Sequence, residues 1–555
     1  MEKQPWLSHY PEALPPTINP DSYASLVSFF EASFERYANL PMYENMGKVL
    51  TYREVDELSQ AFAAYLQNHT YLQPGDHVAI QMPNLLQYPV ALLGILRAGM
   101  VVVNINPLYT PHEMESQLQD AEAKAIVLLD NFAHNLQQIL SRTILRSIII
   151  TTMGDMLGIL KGRLVNVTVK HIKRLVPPYH FSQAVTWKQV LQQGKQARFQ
   201  RVSPSSDQAA FLQYTGGTTG VSKSAVLTHR NIVANIAQMT ACMRVKLKER
   251  EEVVITPLPL YHIFSLIVNL LSIMELGAKN VLITNPRDIP GFIKELRKHR
   301  FTFMTGVNTL FSGLLAEKEF ASLDFSSLKI AVAGGVALQK TVARQWEGLT
   351  GTPLIEGYGL TEASPVVTCN ILNGSHRLGT IGIPIPSTLV KIVDDNGEEV
   401  AFGTPGDLLV KGPQVMKEYW KQPEETAQVF LDGWLQTGDI GVMDADGFIK
   451  IIDRKKEIIN ISGFNVYPTE IESVVSEHPK VFEVGVIGVP DSRGKEAIWM
   501  YVVKKDPTLT AEELVAYCRE KLTRYKVPKH IFFRESIPKS NIGKLLRRFL
   551  REKEQ

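Results

Sequence analysis

Ala209–Asn231 reads AAFLQYTGGTTGVSKSAVLTHRN. Its first six residues, AAFLQY, predict a short strand, and KSAVLTHRN predicts a second short strand with Thr228 as the N-cap of a following helix. Between them stand three glycines (Gly216, Gly217, Gly220), four hydroxyls (Thr215, Thr218, Thr219, Ser222) and Lys223, with Tyr214 at the strand end. Glycine lets backbone N–H groups crowd an anion, hydroxyls add donors and lysine adds charge, so this is a phosphate-binding loop at the end of a strand. It is not a Walker A loop, in which the lysine follows glycine. Lys223 follows Ser222, and the other Gly-Lys pair, Gly543-Lys544, has Pro538 in place of the first glycine and Leu545 after the lysine.

The surrounding chain alternates helix and strand. Thr51–Glu54 (TYRE) is a capping-box pattern, followed by Val55, Leu58, Phe62, Tyr65 and Leu66 at helical spacing. GDHVAIQMPN, YPVALLGILRAGMVVVNINP, AKAIVLLD, LRSIIITTM, EEVVITPLPL, KNVLIT, FTFMTGV and LKIAVAGGV repeat the rhythm. Short apolar strands alternating with helices predict an α/β protein with mostly parallel sheets, flanked by helices, and ligands at the carboxyl ends of the strands. Beyond about Gly382, KIVDDNGEEV and GDLLVKG read as hairpin structure with Asn396-Gly397 as turn, so a β-rich subdomain follows. The remainder (TEIESVVSEHP, VFEVGVIGVP, AIWMYVVKK, AEELVAYCREKL and a basic tail) has the size of a small α+β domain. The expected division is a large domain at 1–452 and a small one at 453–555.

At 555 residues, with 45% hydrophobic and 21% charged residues, the chain is expected to be globular with more than one domain. The net charge of +3 is uneven: between Lys521 and Lys553 eleven basic residues face only Glu535 and Glu552, and that end should meet anions. No nucleic-acid motif accompanies it. The three cysteines have no paired spacing, and no apolar leader opens the chain, which favours the cytoplasm. The greasy run Ile263–Met274 is too short and too polar to span a bilayer and reads as a buried helix.

YTGGTTGVSK, EGYGLTE (356–362), DGWLQTGD (432–439), IIDRKKEIINISGFNVYPTEIE and PKSNIGKLLRR (538–548), in this order, resemble the signature set of the adenylate-forming superfamily. MPNLLQYPVALLGILRAGM, NPLYTP, ITNPRDIPG, GVNTLF and GPQVMKEYW bring the resemblance nearest to bacterial long-chain fatty acid–CoA ligases. The resemblance implies a two-step reaction. A fatty carboxylate attacks the α-phosphate of ATP, releasing pyrophosphate, and the thiol of CoA then displaces AMP from the acyl-adenylate. Like charges must meet, so catalysis would be chiefly positioning and charge neutralisation.

The same resemblance assigns roles. Thr218 and Glu362 would hold Mg²⁺, and the loop Tyr214–Lys223 the outer phosphates of ATP. Tyr358, with Gly334 and Gly335, would border the adenine, Glu356, Gly357, Gly359 and Thr361 would belong to the same ATP/AMP site, and Asp439 would bind the ribose hydroxyls, with Arg454 assisting there or at phosphate. His262 would lie beside the acyl carboxylate, with a satisfied core histidine as the alternative. Lys544 would reach the α-phosphate. Rotation about Asp453 would exchange Lys544 for Ser462, Gly463 and Phe464 at a CoA tunnel. Ile263–Met274 is open between tunnel wall and plain core. Leu160–Phe181, alternating basic and apolar residues, suits loose peripheral association with the inner face of the cell membrane or a solvated basic helix. The chain departs from many relatives at Ser224, usually glycine, and at Glu457, usually aspartate. Alternatives left open are activation of another acid (medium-chain or aryl), transfer to a carrier protein, a non-catalytic binding protein, and a homodimer.

Overall fold

A computed structural model describes residues 4–215, 223–371, 374, 376–461, 464–490, 496–540 and 543–552. Of the expected site residues, Gly216, Gly217, Thr218, Thr219, Gly220, Ser222, Ser462 and Gly463 lie outside these.

Two large sheets carry the first 385 residues. In one, the strands run in the order Glu418–Tyr419, Ser224–Thr228, Ala209–Tyr214, Val101–Asn104, His77–Gln81, Ala125–Leu129, Ser147–Thr151 and Ala184–Thr186. From Ala209–Tyr214 outward every pairing is parallel. Ser224–Thr228 returns antiparallel to Ala209–Tyr214, with Tyr214 opposite Ser224, so the two strands of the opening stretch form a hairpin. Val101–Asn104 and Ala125–Leu129 are buried along their whole length, as strands covered on both faces must be.

The second sheet has a parallel centre made of Lys279–Leu282, Val253–Thr256, Phe303–Gly306, Ile330–Ala333 and Leu354–Gly359, closed at its ends by antiparallel pairs. The expected helix caps are present. Thr51 and Glu54 bond reciprocally ahead of Tyr52–His69, and Thr228 and Asn231 do the same ahead of His229–Met243.

Ile263–Met274 is a buried helix, as its composition predicts, with a π-type stretch at Leu266–Leu271. Buried Asn269 accounts for the irregularity: its carbonyl accepts from Asn280 Nδ2 and its Oδ1 accepts from the Thr305 hydroxyl, bonds that compete with regular α-helical pairing.

The β-rich part is an antiparallel five-stranded sheet that includes Leu389–Val393, Gly406–Lys411, Trp434–Met443 and Ile449–Arg454. The last of these carries the chain towards the C-terminal part, a three-stranded sheet (Val481–Pro490, Glu496–Lys504, His530–Phe533) with helices Pro468–Ser476 and Ala511–Lys521. Asp453 and Arg454 are still paired with Ile440 and Asp439 in the five-stranded sheet, so the chain leaves that sheet at the end of the strand. Among the described residues no helix is long and apolar enough to cross a membrane.

Candidate active site

One cavity of about 2540 Å³ opens where the carboxyl ends of Ala209–Tyr214, Ile330–Ala333 and Leu354–Gly359 meet the first half of the strand Trp434–Met443 and the C-terminal residues Lys539, Ser540 and Gly543–Phe549. Tyr214, Thr215, Lys223, His262, Gly334, Gly335, Glu356–Glu362, Asp439, Asp453, Arg454 and Lys544 all line it.

The glycines are needed for shape. A Cβ on Gly359 would stand 2.1 Å from the Pro365 carbonyl oxygen, and one on Gly334 would stand 3.0 Å from the Phe264 ring. Gly335 has φ +80°, in the left-handed region that glycine tolerates best.

At the centre, buried Asp439 takes partners on both oxygens. Tyr358 donates its hydroxyl to Oδ2 at 2.5 Å, and Arg454 Nε lies 3.0 Å from Oδ1. Burial, with Asp439 beside it, pushes the Tyr358 hydroxyl far up, so it stays a donor. For Arg454, burial alone would weaken the charge, but Asp439, Tyr358 and Glu362 outweigh it and the guanidinium holds its proton more tightly than usual.

Glu362 sits in a short 3₁₀ turn and accepts the Tyr419 hydroxyl on Oε1 at 2.6 Å. Among the described residues its second oxygen takes no hydrogen bond, and a carboxylate oxygen is a ligand magnesium accepts. Glu356 accepts from the Leu338 N–H at 3.4 Å, and burial raises its carboxyl to about 7.

His262 caps the buried helix that follows it. Its Nδ1 accepts the Phe264 N–H at 3.3 Å, which places the proton on Nε2. Burial, aided by nearby Lys544, brings its pKa down to about 4, so the ring is a neutral donor near pH 7. The core-histidine alternative thus gives way to a ring on the cavity wall.

Lys544 enters from the C-terminal part on a turn braced by Ser540, whose hydroxyl accepts the Lys544 N–H at 3.1 Å and whose N–H donates to the Lys544 carbonyl. Burial and then Arg454 lower its ammonium to about 8, with Asp439 and Glu362 pulling the other way.

Other expected residues are placed less directly. Tyr214 donates its hydroxyl at 2.5 Å to Asp120, which also lines the cavity. Asp453 caps locally, accepting from the Arg454 and Thr469 N–H groups at 2.8 Å each. Phe464 is 57% exposed, stacks on Tyr525 and does not line the cavity. Lys544 and Phe464 are therefore not brought together here. Tyr419, Thr437 and Lys456 line the cavity without having been singled out in the sequence. Tyr419 lies inside GPQVMKEYW, the only signal that marked it.

An apolar arm leaves the polar centre between helix His229–Met243 and the second sheet, walled by Met239, Cys242, Met243, Val268, Phe303 and Ile330. The Ile263–Met274 helix contributes Ile263, Phe264 and Val268 to the cavity, while Leu266, Ile267, Leu270, Leu271 and Met274 pack in a core cluster. Most of that run is core and one edge is wall.

Sequence comparison matches two family profiles, "AMP-binding enzyme" over residues 30–420 and "AMP-binding enzyme C-terminal domain" over residues 470–544. A long-chain-fatty-acid–CoA ligase of Escherichia coli O157:H7 is 55% identical over 550 residues, covering 99% of this chain and 98% of the relative. Its counterpart in Bacillus subtilis (strain 168) is 40% identical over 557 residues, covering 100% and 98%. Among solved structures, ATP-bound MatB from Rhodopseudomonas palustris superposes with a TM-score of 0.81 at 27% identity, covering 95% of this chain and 98% of its own. The anthranilate CoA ligase AuaEII, in complex with anthranoyl-AMP, gives a TM-score of 0.83 at 23% identity, covering 97% and 99%, a likeness of fold.

Proposed function

Because the chain belongs to the AMP-binding enzyme family, we propose that this cavity performs both halves of an ATP-dependent long-chain fatty acid–CoA ligase reaction. The carboxylate attacks the α-phosphate of ATP, the bond to pyrophosphate breaks, and acyl-adenylate forms. The CoA thiolate then attacks the acyl carbonyl and AMP leaves. The observation that carries this reading is a single chamber joining the Tyr358–Asp439–Arg454 cluster and Lys544 to an apolar arm.

In this reading Asp439 accepts the ribose hydroxyls, and Tyr358 with the glycine shelf borders the adenine. Lys544 and Arg454 offset charge at the α-phosphate, where a water-poor site makes such charges count most. His262 donates Nε2–H to the carboxylate or to the phosphate oxygen it approaches. Glu362, with Thr218, would supply oxygen ligands to Mg²⁺, which when bound neutralises phosphate charge. The apolar arm takes the alkyl chain, and burial of each CH₂ contributes about 0.8 kcal/mol, enough to favour long acids.

We assign residues 1–452 to a large domain that binds ATP and acid, and 453–555 to a small one carrying Lys544. The present arrangement, with Lys544 inside the cavity and Phe464 outside it, suits the adenylation step. Rotation about Asp453 would withdraw Lys544 and offer the Ser462–Phe464 segment to CoA.

Peripheral docking on the cytoplasmic face of an anionic membrane is supported by the helix Ile159–Val167 and its continuation Thr168–Ile172. Ile159, Leu160, Leu164 and Ile172 are exposed there by 75%, 85%, 67% and 71%, among Lys161, Arg163, Lys170, Lys173 and Arg174. Exposed apolar residues interleaved with cations suit a lipid surface.

The deciding experiment measures pyrophosphate and AMP release over a panel of carboxylic acids, with and without CoA, for wild type and Lys544→Ala. Long-chain acids giving CoA-dependent thioester, with the variant impaired in adenylation but still converting supplied acyl-adenylate, is the expected result. Pyrophosphate released only with short or aryl acids would move the substrate class, and none with any acid would leave a binding protein.

A further inference from the structure

Lys223 and Glu362 line the cavity from separate motifs of the sequence, and both are held by the short stretch Glu418–Val429, to which the reaction itself assigns no task. The Tyr419 hydroxyl donates to Glu362 at 2.6 Å, and the Lys223 ammonium lies 5.3 Å from the centroid of the Tyr419 ring. The same ammonium forms an ion pair with Glu425, in the helix Pro423–Val429.

Lys223 and Tyr419 line the cavity and Glu425 does not. The side chains of the pair are 27% and 42% exposed, so water reaches it and its partners can exchange. The cavity around Lys223 is crowded with cations. Burial first, then Arg454 and also Lys223, make the Lys456 ammonium easier to deprotonate, and burial, Arg454 and Lys456 do the same to Lys544. A lysine in such company, tied to one half-exposed carboxylate, is poised to change anions.

We propose that Glu425 is a stand-in for the polyphosphate of ATP: it keeps Lys223 seated on the Tyr419 ring while the nucleotide is absent and releases the ammonium when a triphosphate enters. This rests on the ATP reading above. Glu425 acts through Lys223 and is a positioning residue. Its carboxylate competes with the outer phosphates, so it lowers ATP affinity, and it holds the lysine where the phosphates arrive. AMP has no outer phosphates and is indifferent to it.

The test is calorimetric titration of the full chain with MgATP and, separately, with AMP. Removing the competing charge in Glu425→Gln should tighten MgATP by about threefold to fivefold, the worth of an exposed ion pair, and leave AMP unchanged. Glu425→Asp, which keeps the charge on a shorter stem, should fall between. In a Lys223→Gln background Glu425→Gln should change nothing. Equal MgATP affinity in variant and wild type, tightening of AMP to the same degree, or weaker MgATP would each overturn the proposal while leaving the ATP reading in place. A wild type that binds neither nucleotide would overturn the ATP reading and this proposal with it.

Discussion

Gly543 meets Thr309 so closely that a side chain would have to push the Thr309 hydroxyl aside. A Cβ at Gly543, whose φ is +76°, would stand 3.0 Å from the Thr309 hydroxyl oxygen, so the turn that delivers Lys544 is seated on the large part of the protein by a bare backbone. Alanine there must pay for a left-handed backbone, about 1–2 kcal/mol, and displace Thr309 as well. Gly543→Ala is expected to slow ATP–pyrophosphate exchange by about tenfold to thirtyfold. Conversion of supplied acyl-adenylate, a step to which the proposed cycle gives Lys544 no role, should keep its rate, and Thr309→Ala should recover part of the loss. Equal loss in both half-reactions would mean general damage and sink the idea.

The Lys544 ammonium, lowered by burial to about 8 from its ordinary 10.5, should lose its proton within the working range of the enzyme. For adenylation, kcat/KM reports the free enzyme, and it should be level below pH about 7 and fall towards tenfold per pH unit above about 8. Lys544→Arg, charged throughout, should be slower but flat over the same range. Stability moves the other way. Between 8 and 10.5 the unfolded lysine binds more protons than the folded one, so this group makes the fold more stable as pH rises through that window. An alkaline loss of rate without a fall in Tm is therefore the expected signature.

Asp439 binds two partners that depend on it, Tyr358 at 2.5 Å and Arg454 at 3.0 Å. Asp439→Ala removes an acceptor from both, but Tyr358 keeps Thr437 as a partner and the Arg454 side chain is 34% exposed, so the nucleotide-free fold should lose only about 1 kcal/mol. It should also abolish the rise in Tm that ATP gives the wild type. Tyr358→Phe removes one donor and leaves the carboxylate on Arg454, so most of that rise should remain. A full ATP-induced shift in Asp439→Ala would remove this residue from the nucleotide site.

Much of the fold was legible because its signals are local. Capping boxes at Thr51 and Thr228, the buried run at Ile263–Met274 and the strand before the glycine loop each depend on a few neighbouring residues, and each is where the pattern put it. The antiparallel return of Ser224–Thr228 depends on which neighbour strand accepts it, which alternation does not encode. At the site, glycines and charged residues in motifs were legible. The bond from Tyr419 to Glu362 spans 57 positions and that from Lys223 to Glu425 spans 202, and only the folded sheet brings them together. Tyr214 lines the cavity, and its hydroxyl is held there by Asp120, a partner 94 positions away that no local rule supplies.

The exposed apolar residues of the helix Ile159–Val167 make the membrane reading measurable. Leu160→Glu with Leu164→Glu replaces two side chains that are 85% and 67% exposed, so the fold should be unaffected. Sedimentation with vesicles containing an anionic lipid should fall by about tenfold or more, since two buried leucines are worth several kcal/mol at a lipid surface and the added charges repel it. Turnover of a water-soluble acid should not change. Undiminished vesicle binding would return this helix to a merely solvated role.

The apolar arm should set how long an acid the enzyme accepts, and Cys242 is the place to test it. Its thiol lies on the wall with Met239 and Met243 and belongs to a cluster that includes Leu14, with Tyr10 packed against it. Burial pushes this thiol far above its ordinary range and that of Cys369 up to about 12, so both are inert wall groups rather than nucleophiles. Cys242→Trp would fill the arm there with an indole. Each excluded CH₂ forfeits about 0.8 kcal/mol, so four lost methylenes cost the longest acids more than a hundredfold in kcat/KM. Medium-chain acids that stop short of the indole should be untouched, as should the KM for ATP, because the polar centre is built from other residues. Pyrophosphate release measured across chain lengths should therefore show a new upper limit. A uniform loss at every length would instead mean that the indole had disturbed the core, and that this arm does not measure the chain.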